Sequence, residues 1–253
     1  MSEYGSPGEI ARQWEEAAGR QELVLLDGFH ALKHALRFGA DVRMVVADDP
    51  DGVRGLAREL APDVEADVVR LVRRASLKEL VARVHPTGVA ALAVRPDGAE
   101  GRARLDARPR TAPIVVLDNP RNLGNVGAVV RLAAGFGATG VLTRGDLDPW
   151  HPNVVRAGAG LHYATTVDRV ELETLPPGPL YALDPEGEDI RALTLPDDAL
   201  LAFGSERHGI SPELRARADH LVSLPMRPQV SSYNLATSVA MTLFHWGGPK
   251  GTH

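Results

Sequence analysis

The chain has 253 residues, 44% of them apolar and 24% charged, with a net charge of −5 and no cysteine. That composition excludes disulfides, thiolate metal sites and a cysteine nucleophile, argues against a protein that holds nucleic acid by bulk charge alone, and leaves no apolar run near the roughly 18 residues that a membrane helix needs. Nine histidines are present without an HExxH motif, and their ordinary reading is surface, packing or hydrogen-bonding residues, so no metal is expected. The opening Met1–Gln13 lacks the basic start and apolar stretch of a secretory signal, and a cytoplasmic protein without membrane contact is expected.

In chain order, residues 1–18 form a polar, partly helical lead. A strand is predicted over Glu22–Leu26. A helix over Gly28–Phe38 follows, with Phe29, Leu32, Ala35 and Leu36 at helical spacing, and then a strand over Val42–Ala47. A further strand over Val68–Val72, a short helix around Leu77–Val84 and a buried strand over Gly88–Val94 complete a small α/β domain. The stretch Arg95–Pro113 is rich in Pro, Gly, Ala, Asp and Arg and has no apolar periodicity, as a linker does. The domain boundary is placed within it, giving residues 1–105 and 106–253.

Beyond it, short apolar strands over Ile114–Leu117, Gly140–Thr143, Ala164–Val167, Leu180–Leu183, Leu200–Phe203 and His220–Ser223 alternate with helical segments. That alternation predicts a mostly parallel sheet with helices on both faces. Ligands of such sheets sit beyond the carboxyl ends of the strands, so the loops directly after strands carry the information.

The first such loop runs from Asp118 into a helix starting near Val126, whose free N–H groups and dipole suit an anionic ligand. Val126, Val129, Val130, Ala133 and Ala134 form its apolar stripe. Arg131 lies off that stripe, facing a crevice, a neighbouring subunit or plain solvent. Gly135-Phe136-Gly137-Ala138-Thr139-Gly140 matches the dinucleotide fingerprint by letter, but a helix precedes it and a strand follows, so these glycines are a helix stop and turn. The second loop, Gly204-Ser205-Glu206-Arg207-His208-Gly209, lacks the G-x-S-x-G spacing of a hydrolase elbow. Its glycines suit a loop wrapped closely around a small ligand. The third, Leu224-Pro225-Met226-Arg227-Pro228-Gln229-Val230-Ser231-Ser232-Tyr233-Asn234, leads into a helix over Leu235–Trp246, with Ser232 or Asn234 as N-cap and Gly247-Gly248 as stop. Leu235, Val239, Leu243 and Trp246 give that helix an apolar face, to complete the core or to pair subunits.

In order, spacing and type, these loops resemble the three motifs of the SpoU/TrmH family of RNA ribose methyltransferases, within the SPOUT superfamily. N-x-G-A-x-x-R is matched by Asn125, Gly127, Ala128 and Arg131. G-x-E-x-x-G is matched by Gly204, Glu206 and Gly209, and the last motif by Pro225, Met226, Ser232 and Asn234. More loosely, residues 24–32 and 85–91 resemble a small ribosomal-protein-like RNA-binding domain. Two positions depart from the family pattern: Pro228 stands where a glycine is usual nearby, and Tyr233 replaces a leucine.

The resemblance implies an S-adenosylmethionine-dependent RNA 2′-O-methyltransferase with a deep trefoil knot in its C-terminal domain, working as a homodimer through the last helix. Ribosomal RNA is favoured over tRNA as substrate. It implies catalytic roles for Arg131, Asn125, Glu206, Ser232 and Asn234, and a donor site on Leu183, Gly204, Leu224, Met226 and Tyr233. Guanidinium keeps its proton to above pH 12, so Arg131 is expected to stabilise the developing alkoxide rather than act as a base. The rivals are an RNA-binding protein with a vestigial donor site and a cofactor-dependent α/β enzyme acting on small molecules.

Overall fold

The computed structural model describes residues 6–247, which form two compact units. The first comprises the residues up to Pro96 together with Ala159–Ala164, and the second comprises Asp97–Gly158 and the chain from Thr165 onward. The stop expected at Gly247-Gly248 lies partly outside the described residues, since Gly248 is not among them.

The first unit begins with α1 (Pro7–Ala18), started by a capping box in which the Ser6 hydroxyl accepts from the Glu9 N–H and the Glu9 carboxylate accepts from the Ser6 N–H. Then come β1 (Leu23–Asp27), α2 (Phe29–Arg37), β2 (Val42–Ala47), α3 (Pro50–Leu60), α4 (Glu65–Leu71), β3 (Val72–Arg74), α5 (Leu77–Leu80) and β4 (Val89–Val94). The sheet order is β1-β4-β2-β3, with β4 antiparallel to both neighbours and β2 parallel to β3. Ile10 and Trp14 of α1 pack with Val46, Leu77, Ala90 and Leu92, and the Trp14 indole donates to the Leu80 carbonyl.

Two elements of this unit differ from the sequence expectation. The strand expected over Val68–Val72 is mostly α4, with only Val72 entering β3. Its β-branched residues suggest a strand, yet Val68 is buried while Val69 stays 42% exposed, so a single helical face is covered and tertiary packing overrides propensity. The helix expected to reach Val84 stops at Leu80. α3 was not foreseen: Gly52 and Gly55 weaken its helical signal, while Pro50 at its first turn and the buried Val53 and Ala57 make it.

The second unit contains α6 (Gly98–Asp106), β5 (Ile114–Asp118), α7 (Leu123–Phe136), β6 (Gly140–Arg144), α8 (Pro152–Ala157), β7 (Thr166–Arg169), β8 (Leu180–Asp189), β9 (Leu200–Phe203), α9 (Pro212–Arg217), β10 (His220–Ser223) and α10 (Leu235–Gly247). Its six strands lie in the order β10-β8-β9-β5-β6-β7 and every pairing is parallel. Helices cover both faces. Leu105 of α6 and Leu214 of α9 join Ile114, Val116, Leu142, Leu200 and Ala202 in one cluster. The alternate residues Val115, Leu117, Val141 and Leu201 are equally buried on the other face, where α7 meets β6 and α10 meets β9.

α6 lies in the stretch expected to be a linker. It was illegible because Leu105 is its only buried residue, so no periodicity exists to detect. The strand expected over Ala164–Val167 is β7, displaced by two residues. β8 is much longer than Leu180–Leu183. Its pairing with β10 jumps from Ala182↔Leu221 to Glu188↔Val222, leaving residues 183–187 without a partner on β10. α7 ends at Gly137 in the left-handed region (φ 71°), the stop that the fingerprint-like glycines were expected to make.

Candidate active site

β5 lies centrally. The chain leaves it toward β6 and β7 on one side and later returns to β9 on the other, so the carboxyl ends of β5 and β9 flank a topological switch point. Three loops converge there.

The β5 end is built on a buried ion pair. Asp118, whose side chain is fully buried, accepts through Oδ1 from Arg144 Nη1 at 2.5 Å and from Asn119 Nδ2 at 3.3 Å. Its Oδ2 accepts from the Ser211 N–H at 2.7 Å. One carboxylate thus ties the ends of β5 and β6 to the last residue of the loop after β9. Ser211 then caps α9 by accepting from the Leu214 N–H. Sequence reasoning missed these three residues; the available signal was a carboxylate closing an otherwise wholly apolar strand.

α7 starts at Leu123 rather than Val126, because Asn122 caps it by accepting from the Asn125 N–H at 3.0 Å. Asn125 therefore sits in the first turn. Gly127 is needed two residues on, since a Cβ there would lie 2.5 Å from the Ala157 Cβ and the Val154 carbonyl, so α7 and α8 meet backbone to backbone. In the second loop Ser205 and Gly209 exchange backbone hydrogen bonds of 3.0 and 2.9 Å. A side chain at Gly204 would run into the backbone of Gly209 and Ile210, and Gly209 itself has φ 68°.

Three of the five residues expected to be catalytic meet through amides. Asn234 caps α10, its Oδ1 accepting from the N–H groups of Ala236 and Thr237 at 2.9 and 3.4 Å. That fixes which end of the amide is free, and Nδ2 donates to Asn125 Oδ1 at 3.1 Å. Asn125 Nδ2 in turn donates to Glu206 Oε1 at 2.7 Å. The orientation of each amide is thus set by the one before it.

Beside this relay lies a cavity of about 460 Å³, lined by all five expected donor-site residues, Leu183, Gly204, Leu224, Met226 and Tyr233, together with Glu206 and Ser232. Phe203, Ile210, Val222 and Leu235 add apolar walls that the sequence reading had not assigned, and Asp184, Ser231 and Ser238 add polar ones. Asp184 is held below the ordinary carboxylate range by its hydrogen bond from Arg215 Nε at 2.9 Å, and Arg215 is correspondingly raised. The Tyr233 hydroxyl donates to the Pro225 carbonyl at 3.0 Å and closes the third loop on itself.

Arg131 stands apart. It is exposed on α7, does not line the cavity, and makes no side-chain hydrogen bond or ion pair with a described residue. The α10 face expected either to complete the core or to pair subunits does the former: Leu235, Val239 and Leu243 are buried within the chain and Trp246 donates to Asp197. Phe244 is a large apolar residue that α10 leaves open, at 73% exposure. Among the described residues no group of His and carboxylates could hold a metal ion, and no helix is long and apolar enough to cross a membrane.

Comparison with known proteins matches residues 112–244 to the model of the SpoU rRNA Methylase family. A mouse protein named rRNA methyltransferase 3, mitochondrial, is 32% identical over 169 residues, 66% of this chain but only 39% of its own length. An uncharacterized tRNA/rRNA methyltransferase of Synechocystis is 29% identical across 92% of this chain and 87% of its own, and a 23S rRNA (uridine(2479)-2′-O)-methyltransferase of Streptomyces viridochromogenes is 25% identical over the same shares. The crystal structure of the SpoU methyltransferase AviRb from Streptomyces viridochromogenes superposes with a TM-score of 0.74 at 25% identity, covering 94% of this chain and 96% of that one. With its three motif loops gathered at the switch point of a parallel sheet, the chain belongs to the SpoU rRNA Methylase family.

Proposed function

We propose that this protein transfers a methyl group from S-adenosylmethionine to a ribose 2′-hydroxyl of RNA in the cytoplasm, with ribosomal RNA the favoured substrate. The observation that carries the proposal is the relay from Asn234 through Asn125 to Glu206 beside a cavity bounded by the residues expected to hold the donor. The residues fit that donor. About 460 Å³ falls within the roughly 300–1,000 Å³ of small-molecule sites, Phe203, Ile210, Val222, Leu224 and Leu235 offer apolar surface for a nucleoside, and Asp184 and the serines offer polar partners for its amino-acid part. When bound, the donor supplies a methyl group on a sulfonium, whose displacement needs alignment of the attacking oxygen more than acid or base help.

Alignment is accordingly the work of this chain. Glu206 is held by Asn125, and its loop is held by Asp118 through Ser211, so the wall of the cavity keeps one position. Ser232 lines the same cavity and presents a hydroxyl to substrate or donor. Arg131, permanently charged and unpartnered, stabilises the developing alkoxide while the hydroxyl proton passes to water. Its place outside the cavity lining suits a homodimer in which it serves a site completed by a second copy, with exposed Phe244 covered in the pairing. The trefoil knot and an RNA-binding role for the N-terminal unit belong to the same reading.

The test is incubation of the purified protein with methyl-labelled donor and, separately, ribosomal RNA and tRNA, followed by mapping of alkali-resistant linkages. Label is expected in ribosomal RNA and is expected to fall at least ~10²-fold in Arg131→Ala. Label in tRNA alone would transfer the proposal to that substrate, and donor binding without labelled RNA would overturn it.

A further inference from the structure

Several arginines of the second unit are neutralised. Arg102, Arg108, Arg144 and Arg191 each pair with a carboxylate. Arg215 takes both acids of the unpaired segment of β8, Asp184 at 2.9 Å and Glu186 at 2.7 Å. On the three loops that build the site no arginine is paired with a carboxylate of a described residue. Arg121, between β5 and α7, Arg207, in the second loop, and Arg227, in the third, are exposed and have no side-chain hydrogen bond or ion pair with a described residue. Against these three arginines the loops set one unpaired acid: Asp118 is buried against Arg144, and Glu206 accepts from the neutral Asn125 amide.

A chain with net charge −5 therefore carries uncompensated guanidinium groups on the rim of its candidate site. The methyl donor does not call for them, since it bears its own positive sulfonium. A ligand with several phosphates does, because guanidinium forks onto phosphate oxygens and is lightly hydrated. Of the three, Arg207 lines the cavity itself, while Arg121 and Arg227 project from the two flanking loops.

Resting on the methyltransferase reading, we propose that Arg121, Arg207 and Arg227 form a phosphate grip that holds the single-stranded RNA on either side of the target ribose across the mouth of the cavity. Arg215 offsets part of the negative charge of the neighbouring β8 segment by engaging both Asp184 and Glu186.

The experiment measures binding of a short fluorescein-labelled single-stranded oligoribonucleotide to the full chain between roughly 50 and 200 mM salt, where each neutralised phosphate contributes about 0.7 to the slope of log affinity against log salt. Each of Arg121→Gln, Arg207→Gln and Arg227→Gln is expected to reduce that slope by about 0.7, and the triple variant by about 2. Arg104→Gln, at an exposed and unpaired arginine on α6, is expected to leave it unchanged. A triple variant with an unaltered thermal melt and the wild-type slope would overturn the proposal, as would an equal loss in Arg104→Gln or failure of the wild type to bind the oligonucleotide. Donor binding followed by calorimetry on the same samples separates this from the methyltransferase reading: RNA bound with the expected slopes but no donor bound would sink that reading and leave the grip standing.

Discussion

The second and third loops of the site face the same cavity but are held by different physics. The loop from Gly204 to Ser211 is closed by a backbone exchange between Ser205 and Gly209 and anchored through Ser211 to a carboxylate with no exposed surface. The loop from Leu224 to Asn234 is largely exposed and is held by exposed hydrogen bonds: the Tyr233 hydroxyl on the Pro225 carbonyl, the Val230 N–H on the Arg227 carbonyl and Asn234 on Asn125. Burial makes an ion pair costly to break, whereas an exposed hydrogen bond exchanges with water at little cost. One wall of the cavity is thus fixed by the fold itself, and the other is adjustable by substitution.

The comparison breaks hardest at Asp118. Asp118→Ala leaves the largely buried Arg144 without its carboxylate and is expected to cost about 3 kcal/mol in urea unfolding, with loss of donor binding because the second loop loses its anchor. A variant as stable as wild type would show that the fixed wall does not depend on that carboxylate. Next is Asn125→Ala, which cuts the relay in its middle. Its turnover is expected to fall about 10²-fold, the cost of a misplaced reacting group, with only a small change in melting temperature.

Tyr233→Phe removes only the latch of the adjustable wall. Donor affinity is expected to weaken a few-fold by calorimetry, with stability changed by less than about 1 kcal/mol; a larger stability loss would mean that the two loops are alike after all. The smallest effect concerns Asp184. Its carboxyl lies below the ordinary value of 3.8 because of Arg215, so the stability it contributes is complete above that value and is lost as pH falls through the depressed one. Urea midpoints taken from neutral pH down to about pH 3 are expected to fall less steeply in Arg215→Gln than in wild type. The pair is partly exposed, and the difference is accordingly small.

Much of the parallel sheet was legible because buried strands write continuous apolar runs. Leu200–Phe203 and His220–Ser223 have the expected bounds, and Val42–Ala47 does so in the first unit. Legibility failed where one contact makes an element. α6 rests on Leu105 alone, and α4 buries Val68 while leaving Val69 out. At the site, the sequence pointed to the residues around the cavity through their motif positions, but not to what holds them. Asp118 resembles the first polar residue of a loop until its burial is seen, and Arg144 lies 26 positions away with nothing in the sequence to link the two.

Asp118 and Arg144 are also direct neighbours in the β5–β6 ladder. A strand slipped by one residue turns its side chains to the opposite face of the sheet, so any misaligned pairing of these strands would strand the carboxylate in apolar surroundings without its cation. The same two residues that anchor the second loop therefore discriminate against wrong alignments during folding. A molecule that assembles its catalytic wall has, by that event, already proofread its central strands.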